Sequence, residues 1–140
     1  MNDSLQFDRS PELLSRGASR LLIVDMQSKL LPFVPVAGRL IHNCRRLVEA
    51  AEILGVPRYA TEQYPKGLGP TVPELAESFD SIPEKQRFSC AEALGWGLPS
   101  AENDGRFQVV VAGIEAHVCV LQTALDLIAR GYRVYVAADA

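Results

Sequence analysis

The sequence predicts a three-layer α/β/α, Rossmann-like domain built on a parallel sheet, and three observations carry that expectation. Leu21-Leu22-Ile23-Val24 and Phe107-Gln108-Val109-Val110-Val111-Ala112 are continuous apolar or β-branched runs. Such runs mark strands buried on both faces rather than one. Between and after them, apolar residues recur at helical spacing, and strands that alternate with helices imply right-handed crossovers and a parallel sheet. Finally, an acid closes the first run and a Pro/Gly-rich loop closes the second strand, at the carboxyl ends where sheets of this kind bind ligands. The expected strand order is 3-2-1-4-5.

Residues 1–19 show little apolar periodicity and read as an N-terminal arm or a short capping helix around Pro11 to Leu14. The domain proper is expected over 20–140. Its first strand, Leu21 to Val24, ends in Asp25-Met26-Gln27, and Ser28 to Pro35 follows as an unusually apolar loop carrying Leu30, Leu31, Phe33 and Val34. Loops of that kind line pockets or interfaces. From Val36, the positions Leu40, Cys44, Leu47, Val48, Ala51 and Leu54 form a helical stripe that Gly55 stops. A second strand spans Val56 to Thr61, and Glu62 to Pro70 is a turn-rich loop. A short helix around Pro73 to Glu77, a third short strand at Ser81-Ile82-Pro83 and another short helix at Ala91 to Leu94 come next. The fourth strand is 107–112. Leu121, Leu125 and Ile128 then recur at helical spacing until Gly131, and Tyr132 to Ala137 is the last strand.

Composition narrows the function. The 140 residues carry 22% charged side chains and a net charge of −3, with no basic run, which argues against a nucleic-acid partner. No apolar stretch approaches the ~20 residues of a membrane helix, so no membrane partner is expected. The first twenty residues carry Asp3, Asp8 and Glu12 and do not read as a secretory leader. Three cysteines without metal-type spacing fit a reducing compartment, and a cytoplasmic location is expected.

The fourth strand hands over to its helix through Gly113-Ile114-Glu115-Ala116-His117-Val118-Cys119-Val120. Cys119 taken alone reads as a small apolar residue under a helix. Beside the positive end of a helix dipole, however, a thiol most readily becomes the attacking thiolate. In a 3-2-1-4-5 sheet the strand order reverses between strands 1 and 4, the crevice where ligands sit. Asp25 ends one of those strands and Cys119 follows the other. Lys85, two strands away, starts ~10 Å off by sheet spacing, most of which its side chain can cover. A carboxylate, an ammonium and a thiol make a workable nucleophilic set. Asp25 would exchange the proton of Cys119, Lys85 would hold Asp25 charged, and backbone N–H groups of the 113–119 turn would face the oxyanion.

Val24-Asp25-Met26-Gln27, Lys85-x-x-Phe88-Ser89 and Gly113-Ile114-Glu115-Ala116-His117-Val118-Cys119-Val120 together resemble the isochorismatase-like cysteine hydrolases, over about Arg20 to Ala140 and in the family's order. The last motif is the most specific and looks closest to the isochorismatase-domain hydrolases without a characterised substrate. The resemblance implies a catalytic triad of Asp25, Lys85 and Cys119 and a non-proline cis peptide at Ile114–Glu115. It also implies an oxyanion hole from the Glu115 and Cys119 N–H groups. Nicotinamidases of that family hold a metal with an Asp-x-His pattern after the second strand. Here Thr61-Glu62-Gln63-Tyr64-Pro65 has no histidine, so no metal and no cofactor are expected, and nicotinamide is a poorer guess. Family members also continue past Ala140 with a helix, a strand and a terminal helix. The sixth strand is therefore expected to be missing and the domain to be C-terminally truncated.

The expected activity is metal-independent cleavage of a small amide or related carbonyl compound through an acyl-enzyme on Cys119. The alternatives are a binding or scaffolding relative without turnover and an isochorismatase-type vinyl-ether hydrolase. A dinucleotide-binding module is disfavoured, since no Gly-x-Gly-x-x-Gly follows a strand. Gln27, Phe33, Gln63, Tyr64, Phe88, Trp96 and His117 are pocket candidates, each with packing as the competing role. Cys44 reads as core, His42 as structural or exposed, and Cys90 has no assigned role. The apolar loop after strand 1 and an uncapped sheet suggest a homo-oligomer acting on a small-molecule substrate.

Overall fold

Residues 7–140 are described by a computed structural model, so the first six residues of the predicted arm lie outside the described residues. Five parallel strands run in the order β3-β2-β1-β4-β5, as the sequence predicts. They are β1 (Ser19–Val24), β2 (Arg58–Gln63), β3 (Glu84–Lys85), β4 (Gln108–Gly113) and β5 (Arg133–Val136). The helices are α1 (Ala37–Leu54), α2 (Pro65–Leu68), α3 (Pro73–Ala76), α4 (Ala91–Leu94) and α5 (Leu121–Ala129). Among the described residues, no helix is long and apolar enough to cross a membrane.

Strand β1 is the axis of the molecule. All six of its residues are buried, because β2 and β4 flank it and both faces are covered. Leu21 and Ile23 enter one core with Cys44 and Val48 of α1 and Leu75 of α3. Leu22 and Val24 enter the other with Val109, Val111, Cys90 and Leu127. Helix α1 ends as its sequence dictates, with Gly55 in the left-handed conformation and the Val56 N–H returning to Ala51. Cys44 is fully buried, and desolvation pushes its thiol up from 9.0 to about 12. The folded chain therefore keeps a proton that the unfolded chain loses above pH 9. Stability should fall as pH rises from 9 towards 12, by up to ~1.4 kcal/mol per pH unit from this thiol. Denaturant titrations at pH 8 and pH 10 should show a smaller alkaline loss for Cys44→Ala than for the wild type, and an equal loss would refute this contribution.

Two sequence expectations are corrected, and the fold shows which face of α5 meets the sheet. Around Pro11 to Leu14 there is no helix; the segment runs irregularly, and its carbonyls accept hydrogen bonds from Gln108 of β4 and from Arg133 and Tyr135 of β5. The third strand is Glu84–Lys85 rather than Ser81 to Pro83, since proline has no N–H to give a ladder and only its carbonyl is used, by Glu62. The Leu121, Leu125 and Ile128 stripe of α5 faces outward, about half exposed, while Thr123 and Leu127 face the sheet. Helix α5 is apolar on two sides, and periodicity alone does not say which side meets the sheet.

Candidate active site

The site is assembled at the carboxyl end of β1, between β2 and β4. Asp25 is the first residue past the strand and has a left-handed backbone, φ 50°, a conformation a short polar side chain tolerates better than most. Its side chain is fully buried. Strand β3 contributes two residues, and the alternation of a strand leaves Glu84 exposed while Lys85 turns inward. Lys85 Nζ lies 2.8 Å from Asp25 Oδ2, and both side chains are almost wholly withdrawn from solvent. Three further acceptors surround the ammonium: Gln63 Oε1 at 2.6 Å, the Phe88 carbonyl at 2.7 Å and the Arg87 carbonyl at 3.2 Å. The Lys85-x-x-Phe88-Ser89 motif thereby gains a physical meaning. Phe88 supplies a carbonyl to the lysine, and Ser89 Oγ accepts from the Ala91 N–H at the start of α4.

Cys119 sits in a turn of π-helix, Ala116–Val120, between β4 and α5. Such turns recur at functional positions. Ahead of it, the Ile114–Glu115 peptide is cis. Gly113 is forced by the close pairing of β4 with β1: its φ is 110°, and a Cβ there would run into the Val24 backbone. Gly113→Ala should cost about 3 kcal/mol or more, read as a lowered denaturation midpoint. A variant as stable as wild type would show that this approach is not required.

The Cys119 thiol lies close enough to Asp25 and Lys85 to feel both charges. Burial and the Asp25 carboxylate push it up to about 12, with Lys85 opposing. This corrects the expectation of a ready thiolate. The start of a helix favours the anion, but desolvation and a neighbouring carboxylate weigh more. The resting sulfur keeps its proton.

The structure brings Asp25, Lys85 and Cys119 to one place. Of the pocket candidates, Gln27 is fully buried, and its amide bonds the Gln63 N–H and the Gln63 and Gly69 carbonyls. It joins the loop after β1 to the loop after β2, and both of its amide N–H groups are spent on backbone carbonyls. Gln63 grips Lys85 with its oxygen and the Gln86 carbonyl with its nitrogen. Phe33, Tyr64 and Phe88 are exposed on the loops that follow β1, β2 and β3, at the same end of the sheet as Cys119. His117 points into solvent and approaches Glu115 at 3.9 Å. Trp96 packs against Tyr59 and Tyr132 with Arg20 over its ring, near the amino ends of the strands and away from the site. A cavity of about 720 Å³ also lies elsewhere, between the outer edge of β2 and residues 78–83. Among the described residues, no group of three or more His, Cys, Asp or Glu is arranged to hold a metal. Sequence reasoning missed Thr61, whose hydroxyl bonds Asp25 Oδ1 at 2.8 Å, and the proximity of Cys90 to it. A lone hydroxyl residue closing the strand beside the acid was the available signal.

A doubly wound sheet of this order, with its polar side chains gathered at the β1/β4 reversal, is the architecture of the isochorismatase-like α/β proteins. The chain belongs to that family: residues 19–140 match the isochorismatase domain. It is 43% identical over 128 residues to isochorismatase domain-containing protein 2 of Danio rerio, covering 91% of this chain and 64% of that protein. The chain thus spans less than two thirds of that relative. Among solved structures, one described as the MAR1 ribonuclease of Caenorhabditis elegans superposes with a TM-score of 0.78 at 41% identity. That match covers 91% of this chain and 66% of the other. The YcaC gene product of Escherichia coli, described as an octameric hydrolase of unknown specificity, superposes with a TM-score of 0.78 at 27% identity. Here the coverage is 95% of this chain and 68% of the other.

Proposed function

We propose that this chain is the catalytic part of a metal-independent cysteine hydrolase that cleaves a small amide or related carbonyl compound. The observation that carries the reading is the buried Asp25–Lys85 pair at 2.8 Å beside the Cys119 thiol. A thiol held near pKa 12 is a poor nucleophile until its proton has somewhere to go, and an adjacent carboxylate provides that place. Asp25 Oδ2 accepts no directed hydrogen bond although it lies against the Lys85 charge, so a lone pair remains for that proton.

As Sγ of Cys119 bonds to the carbonyl carbon, its proton passes to Asp25 and the carbonyl oxygen becomes an oxyanion facing the Glu115 and Cys119 N–H groups. The oxyanion collapses, the C–N bond breaks, and Asp25 returns the proton to the leaving nitrogen. Water then adds to the thioester, its proton going to Asp25. The C–S bond breaks as Asp25 returns that proton to the sulfur, and the carboxylic acid leaves. Lys85 contacts no reacting bond; with three other acceptors around it, it is a fixed charge beside Asp25.

A second reading, cleavage of RNA, rests on the description of the Caenorhabditis elegans relative. Against it stand the net charge of −3 and the engagement of the Lys85 ammonium, which leaves it unavailable to a phosphate. A panel of small amides, activated esters, a vinyl ether and a single-stranded RNA tests both. Turnover of a carbonyl compound that vanishes in Cys119→Ala supports the proposal, whereas turnover of RNA alone would replace it. Self-association belongs to the same proposal, supported by the outward Leu121, Leu125 and Ile128 stripe and by the octameric relative. A monomer in sedimentation velocity at micromolar concentration would end that part. A cytoplasmic location and residues 20–140 as one domain with a preceding arm complete it, the location to be checked by imaging a tagged chain and the boundary by limited proteolysis.

A further inference from the structure

We propose that Thr61 is a positioning residue of this site, its hydroxyl holding the Asp25 carboxylate in the orientation that faces Cys119. The inference rests on the reading of Asp25 as the proton acceptor. Thr61 is paired with Val24 in the β1/β2 register and its side chain is buried. Its Oγ1 lies 2.8 Å from Asp25 Oδ1 and 3.2 Å from Cys90 Sγ.

Proton counting fixes the direction of this chain. An ionised carboxylate only accepts, so the single hydroxyl proton of Thr61 goes to Asp25. Thr61 must then accept from Cys90, which requires that Cys90 keep its S–H. Burial pushes that thiol up, in the direction the donor role needs. Cys90 is itself fixed from behind, its backbone N–H donating to Thr123 Oγ1 at 2.9 Å. Thr123 is fully buried on α5, one helical turn beyond Cys119. The file Thr123–Cys90–Thr61–Asp25 therefore links the helix that follows the nucleophile to the carboxylate, through buried polar groups throughout.

The carboxylate is thus held on both sides, Oδ1 by a hydroxyl and Oδ2 by the Lys85 charge. The terminal torsion of an aspartate is otherwise soft, and a misdirected lone pair would leave the thiol proton without an acceptor. Valine has the shape of threonine without the hydroxyl, so it separates positioning from packing. Serine keeps the hydroxyl.

Hydrolysis of p-nitrophenyl acetate by the whole chain provides the assay, with unfolding midpoints confirming that each variant folds. Thr61→Val should lower kcat about tenfold or more with KM nearly unchanged, the ratio expected for losing a hydrogen bond to a charged group. Thr61→Ser should restore most of that loss. Wild-type kcat in Thr61→Val, or no recovery in Thr61→Ser, overturns the inference alone, provided Cys119→Ala and Asp25→Asn are inactive. If those two variants still hydrolyse the ester, the proposed function falls and the inference with it. A crystal structure of Thr61→Val gives an answer that needs no turnover. A rotated Asp25 carboxylate supports the role, and an Asp25 unchanged in rotamer and in its Lys85 contact overturns it.

Discussion

Cys119→Ala is expected to lower kcat by about 10⁴-fold or more for any substrate the chain hydrolyses, because binding and oxyanion contacts alone remain when a nucleophile is removed. The substitution deletes one sulfur atom at the edge of a packed core, so the unfolding free energy should change by only about 1 kcal/mol. Activity and stability are thus predicted to separate widely. Asp25→Asn should be nearly as severe. With burial and the Asp25 carboxylate pushing the thiol up to about 12, little of it ionises unaided at pH 7, and a local base must take the proton. Steady-state kinetics on the purified variants checks both. Hydrolysis by Cys119→Ala within tenfold of wild type would contradict the assignment.

Lys85→Met is the second large effect, and it appears in stability as well as rate. The lysine and Asp25 form a pair almost wholly withdrawn from water, and removing one member strands the other. Breaking such a pair costs about 3–5 kcal/mol. The double variant Asp25→Asn/Lys85→Met removes the stranded charge and should recover part of that loss. Recovery should be incomplete, since the Gln63 side chain and the Arg87 and Phe88 carbonyls also lose their donor. Urea denaturation of the two single variants and the double variant measures the coupling. A double variant no more stable than Lys85→Met would show that the two charges do not depend on each other.

How much of this was legible in the sequence varies by element. The central strands were, because β1 and β4 are apolar on both faces, and with the expected order Asp25 and Cys119 fall at the ends of adjacent strands. The position of Lys85 was legible too, although its strand lies two to three residues further along than the sequence suggests. The two-residue β3 has no periodicity to read and is defined by its pairing with Glu62 and Gln63. The outward stripe of α5 was not legible, since an apolar face looks the same whether it meets a sheet or another surface. Nor was the state of the Cys119 thiol. A helix start is visible in sequence, whereas the burial and the neighbouring carboxylate that outweigh it are properties of the fold. The roles of Thr61 and of Gln63, which the sequence offered only as a pocket candidate, were hidden for the same reason. Their work is done through side-chain oxygens aimed at residues 36 and 22 positions away.

The central claim is that Cys119 is the nucleophile, set apart from the other two thiols by its place and not by an intrinsically low pKa. Cys44 and Cys90 are fully buried, and Cys119 alone among the three has an exposed edge. Iodoacetamide at equimolar ratio near neutral pH, followed by peptide mass mapping and activity measurement on the same samples, tests this directly. The predicted result is modification at Cys119 alone, with activity falling in step with its occupancy and the labelling rate still rising above pH 9. Equal labelling of Cys44 or Cys90, or full activity in protein modified at Cys119, would contradict it.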